Sequence, residues 1–431
     1  MEQKQFMNIK TEETIGIIGL GYVGLPLLIN FGKSYKVLGF DSDEKKVEVI
    51  NSGKSNIDHI PSSDIQNLIS NGPIATSDFA KIKLVDAIII CVPTPITVHR
   101  EPDLSYVINV VNQIIPFLKS GQLISLESTT YPGTTEEVIG RKVQDAGHQI
   151  GKDIFITYSP EREDPGSKFK LQDIPKVIGG ITNECLTKGS KLYSSVFNDV
   201  VQVNSVKVAE LSKLLENIHR AVNLGMINEF KIICDAMSVD PFEVINAAAT
   251  KPFGFVPYYP GPGWGGHCIP VDPFYLSWKA KEYGHSSRFI ELAGELNLST
   301  QSWILSKISE SLNIRNLSIS QSKILVLGIA YKPDVDDARE SPALNIFSEL
   351  YKNGADVDYS DPYFSELPRT RKFNIEKKGI DLTPSNISSY DAVILLTNHT
   401  KYDYDLIYQN ANLIIDTRGV YDVDNIKVIR A

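Results

Sequence analysis

A glycine-rich turn joins an apolar strand pattern to a helical pattern near the start of the chain, and few folds accommodate this arrangement. The segment Gly19-Leu20-Gly21-Tyr22-Val23-Gly24 matches G-x-G-x-x-G, and Asp41 stands at the end of the next predicted strand. In such a context the glycines let the backbone approach a pyrophosphate at a helix N-terminus, and the acid accepts hydrogen bonds from ribose hydroxyls. The segment predicts a bound dinucleotide, and NAD is preferred to NADP because the Asp41 carboxylate would repel a 2′-phosphate.

Strand and helix patterns alternate in two parts of the chain, which flank a long helical pattern over 205–236 and a second one over 286–312. This alternation is typical of parallel sheets with helices on both faces. The predicted fold class is α/β, with two Rossmann-like doubly wound parallel sheets joined by a long central helix and a helical middle domain. The predicted domains are 1–204 for NAD, 205–314 for the helical middle with a dimer interface, and 315–431 for a UDP-sugar. Predicted strands lie at 15–18, 36–40, 87–92, 123–126, 323–328, 355–359, 392–396 and 413–415.

Composition excludes several classes of protein. The 431 residues are 42% hydrophobic and 22% charged, as in globular chains, and the net charge of −9 argues against a nucleic-acid partner. The polar N-terminus, MEQKQFMNIKTEE, lacks a signal-peptide pattern, and no apolar run is long enough to span a membrane. Four widely spaced cysteines form neither a disulfide framework nor a metal site, so we expect a cytoplasmic location.

One cysteine lies in an unusual setting. The run Gly261-Pro262-Gly263-Trp264-Gly265-Gly266-His267-Cys268-Ile269-Pro270-Val271-Asp272-Pro273, called here the thiol loop, is dense in glycine and proline. A free cysteine is more often a small buried hydrophobe than a nucleophile, and that interpretation suits Cys91 and Cys234. The rigid loop around Cys268 instead favours a reactive thiol. Direct activation by His267 is disfavoured, because neighbouring side chains usually point apart.

Three further segments contribute polar groups. On the long helix, Glu210, Lys213, Asn217 and Arg220 fall three, four and three residues apart, so they share one face. This stripe is either solvated or lines a site. Two loops, at 92–95 and 127–133, should follow strands of the first sheet, where ligands bind in such folds, although ordinary turn chemistry explains their prolines equally well.

Eight ordered segments resemble the NAD-dependent nucleotide-sugar 6-dehydrogenases, whose best-known members oxidise UDP-glucose. The segments are 19–24, 92–95, 128–133, 159–161, 210–217, 265–272, 332–341 and 416–418. UDP-glucose enzymes typically carry Lys before the loop aspartate, whereas this chain has Val271. With Thr250-Lys251-Pro252-Phe253-Gly254-Phe255 upstream, the thiol loop is similar to the UDP-N-acetylhexosamine branch, above all to UDP-N-acetylglucosamine 6-dehydrogenases of bacterial capsule and O-antigen pathways.

The resemblance implies a four-electron oxidation of the sugar C6 alcohol to a carboxylate, with two NAD and one water. Cys268 would add to the intermediate aldehyde, giving a thiohemiacetal and then a thioester. Lys213, assisted by Asn217, would stabilise the oxyanion, and Asp272 would activate water or move protons. Thr129 would position water or hydroxyl and Glu161 would act as an acid or base. Family dimers imply a homodimer.

The resemblance also implies binding roles. Thr94, Thr129 and Arg339 would contact the cofactor together with the glycine turn. Arg418 matches an arginine that contacts substrate, in some members across a subunit boundary. The residues expected to bind the UDP-sugar are Glu161, Arg162, Lys213, Asn217, Arg220, Tyr258, Gly265, Lys332 and Arg418.

Two departures from the glucose-type pattern affect the sugar pocket. A second acid expected four residues after Glu161 is replaced by Pro165, and neither Glu163 nor Asp164 can be assigned its role. The substrate-loop arginine has no clean counterpart at 251–253. The sugar could therefore be the GlcNAc, GalNAc, ManNAc or glucose derivative. Two competing hypotheses are a two-electron 3-hydroxyacid-type dehydrogenase and a non-catalytic nucleotide-sugar sensor.

Overall fold

The computed structural model describes two compact units. The described residues are 13–57, 60–70, 72–97, 99–163, 169–369, 373–423 and 426–431. The first unit contains the described residues up to Glu216 together with Phe274–His285, and the second contains Asn217–Pro273 and Ser286–Ala431. Asp164 and Pro165, and the N-terminal segment before Glu13, lie outside the described residues, so the inferences drawn from them remain predictions.

The first unit is built on an eight-stranded sheet in the order β3-β2-β1-β4-β5-β6-β7-β8. All neighbouring strands run parallel except β6 and β7, which pair antiparallel. The order reverses between β1 and β4, and this reversal creates the crevice in which doubly wound sheets bind nucleotides. The strands are β1 (Thr14–Ile18), β2 (Lys36–Phe40), β3 (Ala75–Thr76), β4 (Ala87–Ile90), β5 (Gln122–Leu126), β6 (Ile154–Tyr158), β7 (Lys176–Gly180) and β8 (Val200–Val203).

Helices cover both faces of this sheet, so its central strands are buried and largely apolar. All residues of β4 and β5 are buried, including Gln122 and Ser125 of β5, so neither strand shows the alternating pattern of a half-exposed sheet. Two apolar clusters form the core, one with Ile15, Ile17 and Ile89 and the other with Ile18 and Ile88. The helices are α1 (Gly24–Gly32), α2 (Glu44–Asn51), α3 (Ser62–Ile69), α4 (Ser105–Ile114), α5 (Arg141–Asp145) and α6 (Asn183–Tyr193).

A 31-residue helix, α7 (Val206–Ala236), continues through the boundary between the units at Glu216 and Asn217. It is followed by α8 (Pro241–Ala249), α9 (Asp272–Glu282) and α10 (Arg288–Asn313). Asp272 and Pro273 therefore start a helix, whereas the sequence analysis grouped them with the thiol loop. Among the helices of the described residues, none combines the length and apolarity needed to cross a membrane.

The second unit contains a five-stranded, fully parallel sheet in the order β10-β9-β11-β12-β13. Its core lies on both faces of the sheet, with Ile324, Val326 and Phe347 in one cluster and Leu325 and Leu395 in the other. The strands and helices are β9 (Lys323–Leu327), α11 (Pro342–Lys352), β10 (Asp356–Ser360), α12 (Pro384–Ser388), β11 (Ala392–Leu395), α13 (Tyr404–Asn410), β12 (Ile414–Asp416) and β13 (Val428–Arg430). The predicted fold class is confirmed, while the three-domain division stays a prediction.

Candidate active site

The glycine turn after β1 is shaped by close backbone contacts. Gly19 has φ = +90°, a left-handed conformation that favours glycine, and its N–H donates to the Phe40 carbonyl over 2.8 Å. A Cβ at Gly19 would collide with the backbone of Cys91, and one at Gly24 would collide with the Gly19 carbonyl. These two glycines therefore allow β1, β4 and α1 to meet closely.

Gly21 differs from the other two glycines because a Cβ placed there would meet no protein atom within 4 Å. The space beside it adjoins the N-terminus of α1, where Val23 makes no side-chain capping bond to the first turn. Unpaired N–H groups and the positive end of a helix dipole attract a pyrophosphate. The donor set and the open space thus fit a dinucleotide, with the partly buried Tyr22 in the same turn.

Asp41 lies at the end of β2, as a ribose-binding acid should. The side chain is 8% exposed, and its carboxylate accepts the N–H of Leu20 over 2.9 Å and pairs with Lys46 over 2.8 Å. The first bond fixes the carboxylate beside the glycine turn. The position fits the ribose hydroxyls of a dinucleotide.

Two loops at the carboxyl ends of β4 and β5 are joined by a hydrogen bond. The Ser128 hydroxyl donates to the Val92 carbonyl over 2.7 Å, so the segment with Thr94 and the segment with Thr129 lie side by side. The Tyr275 hydroxyl donates to the Thr94 carbonyl over 2.6 Å. Both loops border the crevice in which the cofactor is expected, and Thr129 is partly exposed there.

Glu210 holds the second of these loops on α7. Its buried carboxylate accepts the Gly133 N–H over 2.5 Å, and the Thr135 N–H and hydroxyl over 2.9 and 2.7 Å. Burial raises the pKa of Glu210 to about 7, against the opposing effect of these donors. The loop containing Thr129 is consequently tied to the helix that carries Lys213.

Lys213 follows Glu210 by one turn and forms an ion pair with Glu161. The ammonium lies 3.3 Å from the Glu161 carboxylate, and the two residues are 5% and 9% exposed. Arg162 pairs with Glu216, one turn further along α7, over 2.7 Å. The first unit thus pairs Glu161 with Lys213 near the start of α7, and Glu210 ties the loop that contains Thr129 to the same helix.

Behind Glu161 lies a buried charged network that the sequence analysis did not identify. Lys176 pairs with Glu127 and donates to the Pro160 carbonyl over 3.0 Å, and the Tyr193 hydroxyl donates to Glu127 over 2.6 Å. Lys176, at the start of β7, therefore orients the segment that leads to Glu161. The sequence around Lys176 gave no signal that it orients this segment, because hydrophobic periodicity does not reveal buried ion pairs.

Glu163 shares a small cavity with this network. Burial, reinforced by the neighbouring Glu161 carboxylate, raises the pKa of Glu163 to about 7. The cavity is lined by both of these residues and by Glu127, Arg162 and Lys176. Glu163 therefore exchanges its proton near neutral pH, beside a candidate acid–base residue.

In the second unit, backbone bonds shape the thiol loop around Cys268. The Cys268 carbonyl accepts the N–H groups of Val271 and Asp272 over 3.0 and 2.8 Å, which forms a turn directly before α9. Cys268 is partly buried, whereas Cys91, Cys185 and Cys234 are buried. His267 faces the Arg339 guanidinium, with Nδ1 at 3.2 Å.

Asn217 and Asp272 form a short polar contact at the end of the turn that carries the thiol. The Asn217 amide donates to the Asp272 carboxylate over 2.5 Å, and both side chains are almost fully buried. The predicted polar stripe on α7 is therefore buried as far as Asn217, while Arg220 is exposed. Tyr258 lies apart from this pair and shares a hydrogen bond of 3.0 Å with the His219 ring.

The remaining candidate residues lie around the second sheet. The Gly266 N–H donates to the Arg339 carbonyl over 2.9 Å, and a Cβ on Gly265 would collide with Tyr331. Lys332 follows in the same segment, with its ammonium 5.8 Å from the Tyr331 ring centre. Arg418 donates to the Leu396 carbonyl over 2.7 Å at the carboxyl end of β11.

Comparison with known proteins identifies the family. Three models of the UDP-glucose/GDP-mannose dehydrogenase family match: the NAD binding domain over 13–197, the central domain over 207–299 and the UDP binding domain over 325–423. The chain belongs to this family. It is a nucleotide-sugar dehydrogenase that uses NAD, as the glycine turn predicted.

Individual relatives span almost the whole chain. Protein CapL of Staphylococcus aureus is 34% identical, covering 96% of this chain and 97% of CapL. The UDP-N-acetyl-D-glucosamine 6-dehydrogenase of Pseudomonas aeruginosa is 33% identical, covering 90% and 91%. A solved structure of the UDP-D-ManNAc dehydrogenase of Pyrococcus horikoshii has a TM-score of 0.86 at 30% identity, covering 97% and 98%.

Replacing Gly21 should separate cofactor binding from folding. Because a Cβ at this position meets no protein atom, Gly21→Ala should unfold at nearly the wild-type temperature, yet bind NADH at least about ten-fold more weakly. Fluorescence titration with NADH measures the affinity. Gly19→Ala is the contrasting variant, since it should lower the unfolding temperature, and unchanged NADH affinity in Gly21→Ala would contradict the assignment.

Glu210 should make stability depend on pH. Its folded-state pKa of about 7 exceeds its ordinary value of 4.5, so its contribution is complete below pH 4.5 and is lost as the pH rises through 7. Over that interval wild type should lose up to about 1.4 kcal/mol per pH unit from this group. Glu210→Gln should lose less stability than wild type. Urea unfolding at several pH values measures the difference, and identical slopes would contradict the prediction.

Proposed function

We propose that this enzyme oxidises the C6 hydroxymethyl group of UDP-N-acetylglucosamine to the carboxylate, through covalent intermediates on Cys268. The observation that carries the proposal is the arrangement of the thiol loop. A partly exposed cysteine occupies the turn before α9, and Asp272 in the same turn is held by Asn217. A simple two-electron dehydrogenase has no use for this thiol.

The chemistry explains why a nucleophile is needed. Bound NAD supplies the hydride acceptor for both oxidation steps. An aldehyde can be oxidised in this way only after a nucleophile has added to its carbon. The Cys268 thiolate would form a C–S bond and give a thiohemiacetal, whose oxidation yields a thioester. Water then breaks the C–S bond, releasing the carboxylate and restoring the thiol.

Lys213 and Asn217 are suited to stabilise negative charge on the C6 oxygen during these steps. Both side chains are buried, and hydrogen bonds to a developing oxyanion are stronger where water is excluded. Asp272, held by Asn217, would orient the hydrolytic water and accept its proton. Glu161, paired with Lys213, would exchange protons with the sugar hydroxyl. Thr129 would position that hydroxyl.

The choice of sugar rests on the sequence around the pocket. Val271 replaces the lysine typical of glucose-type enzymes, and the segment at 250–255 is similar to the N-acetylhexosamine branch. Relatives named for the GlcNAc and for the ManNAc derivatives are about equally similar. GlcNAc is our first choice and ManNAc is the alternative. The resemblance of the thiol loop to that of enzymes in capsule and O-antigen pathways supports a role in making a surface-polysaccharide precursor.

A panel of nucleotide sugars tests the substrate and the stoichiometry. UDP-GlcNAc, UDP-ManNAc, UDP-GalNAc and UDP-glucose are each incubated with excess NAD, and NADH absorbance is followed to completion. We expect the highest kcat/KM with UDP-GlcNAc and two NADH per sugar. The highest value with UDP-ManNAc would move the assignment to that sugar, and one NADH with free aldehyde as wild-type product would contradict the four-electron mechanism.

Cys268→Ala should block the reaction after the first oxidation. Without the thiol, no thiohemiacetal or thioester can form, so formation of the sugar acid from UDP-GlcNAc should fall by at least about 10³-fold, while the first oxidation still produces NADH. Incubation with the C6 aldehyde should also give no acid, which mass spectrometry detects. Cys234→Ala, a change at a buried cysteine, is the matched control and should retain wild-type turnover. Full activity of Cys268→Ala would favour a two-electron dehydrogenase.

A further inference from the structure

Gly261, the first residue of the thiol loop, is held by α7 through both of its backbone polar groups. Its N–H donates to the Asn228 side-chain oxygen over 3.0 Å, and its carbonyl accepts from the Lys231 ammonium over 3.3 Å. Asn228 and Lys231 are three residues apart and so share one face of the helix. The side chains of α7 therefore determine where the loop begins.

Lys231 is an unusual residue for this task because its side chain is fully buried. Its ammonium lies 5.0 Å from the ring centre of Trp303 on α10, and no carboxylate of the described residues forms an ion pair with it. The charged groups that influence it from the surrounding elements are Arg418, Asp416, Asp235 and Arg430.

Burying this amine opposes folding. Burial, reinforced by the positive charge of Arg418, lowers the pKa of Lys231 to about 7 from 10.5. An apolar side chain of similar length would fill the same space without that cost. A lysine here is therefore not explained by stability, whereas its bond to the Gly261 carbonyl gives it a specific task.

The absence of a side chain on Gly261 is part of the same arrangement. A Cβ on Gly261 would come within contact of the Arg418 guanidinium, at 2.6 Å from Nη1. Arg418 is itself held at Asp416, whose carboxylate accepts its backbone N–H over 2.8 Å. The start of the loop is thus enclosed between α7 and the end of β12.

The constraint at Gly261 extends along the loop toward Cys268. The Trp264 N–H donates to the Asn297 side chain on α10, and the Gly266 N–H donates to the Arg339 carbonyl. Pro262 further stiffens the segment between Gly261 and Trp264. Successive anchors of this kind leave the loop few alternative conformations, so displacing the first anchor shifts the thiol.

We propose that Lys231 is a positioning residue for the thiol loop, which holds the Gly261 carbonyl so that Cys268 is presented in one conformation for the second oxidation. Only the expected effect of Lys231 on the rate of the second oxidation rests on the proposed function. The structural consequence, a loop that opens more often when Lys231 is replaced, is independent of which sugar or reaction the enzyme handles.

Alkylation of Cys268 by iodoacetamide, without substrate, measures loop opening in the full-length enzyme. Losing one hydrogen bond to the loop should raise the open population, and hence the alkylation rate of Lys231→Met, about five-fold. Peptide mass mapping assigns the modified cysteine. Lys307→Met is the matched control, because Lys307 contacts the same Trp303 ring at 5.7 Å but pairs with Asp235 rather than the loop.

Stability measurements distinguish faster alkylation caused by loop opening from faster alkylation caused by misfolding of the variant. Between pH 7 and 10.5, wild type gains stability with rising pH, because the folded state has lost the Lys231 proton while the unfolded state still holds it. Lys231→Met should lack this gain and should be at least as stable as wild type at pH 7. If Lys231→Met is more stable than wild type and Cys268 is alkylated faster, the positioning role is supported. If Lys231→Met is less stable than wild type, the positioning role is overturned.

Kinetics complete the test. Lys231→Met should lower kcat with the C6 aldehyde by about five-fold while NADH affinity stays unchanged, and Lys231→Gln, which retains a donor, should recover part of the loss. Wild-type alkylation and turnover in Lys231→Met would overturn the proposal. Faster alkylation without any effect on aldehyde oxidation would retain the loop anchor but count against the proposed covalent function of Cys268.

Discussion

The burial of polar side chains on α7 is the constraint on which the candidate active site depends. Each buried charge or amide must be compensated, because leaving it unpaired costs several kcal/mol. Glu210 is satisfied by the loop at 133–135, Lys213 by Glu161, and Asn217 by Asp272. Asn228 and Lys231 are satisfied by Gly261. Within each unit, the part of α7 that belongs to it thereby holds the candidate functional loops in place.

The two sheets serve a different purpose, which is to supply ligand-binding edges. In the first sheet the reversal between β1 and β4 opens a crevice beside Gly21 and Asp41, and in the second the order reverses between β9 and β11. Their central strands, such as β4, β5 and β11, are buried on both faces and carry little chemistry themselves. The candidate catalytic groups are accordingly concentrated in loops and on α7, where polar side chains can reach a ligand.

Sequence reasoning identified the fold because its signals are local. The largely apolar strands β1, β4, β5 and β9 lie where apolar runs predicted them, and α7 (Val206–Ala236) coincides with the helical pattern predicted over 205–236. It did not single out β3, β6, β7, β8 or β13. Of these, β3 has only two residues, and β7 begins with a lysine and ends in two glycines. The start of α9 inside the thiol loop was also missed, although a proline after Asp272 is favourable at a helix N-terminus.

The amino-acid sequence by itself determined the cofactor class, the family resemblance and the residue types available for chemistry, because G-x-G-x-x-G, the polar stripe and the thiol loop are contiguous or regularly spaced. Only the tertiary structure decided which of those residues are buried and which groups they face. It buried Asn217 against Asp272, left Arg220 exposed, and placed Lys176 and Lys231 behind functional loops. Such pairings join residues that are distant in the chain, and the lowered pKa of Lys231 arises from desolvation, which no local pattern records.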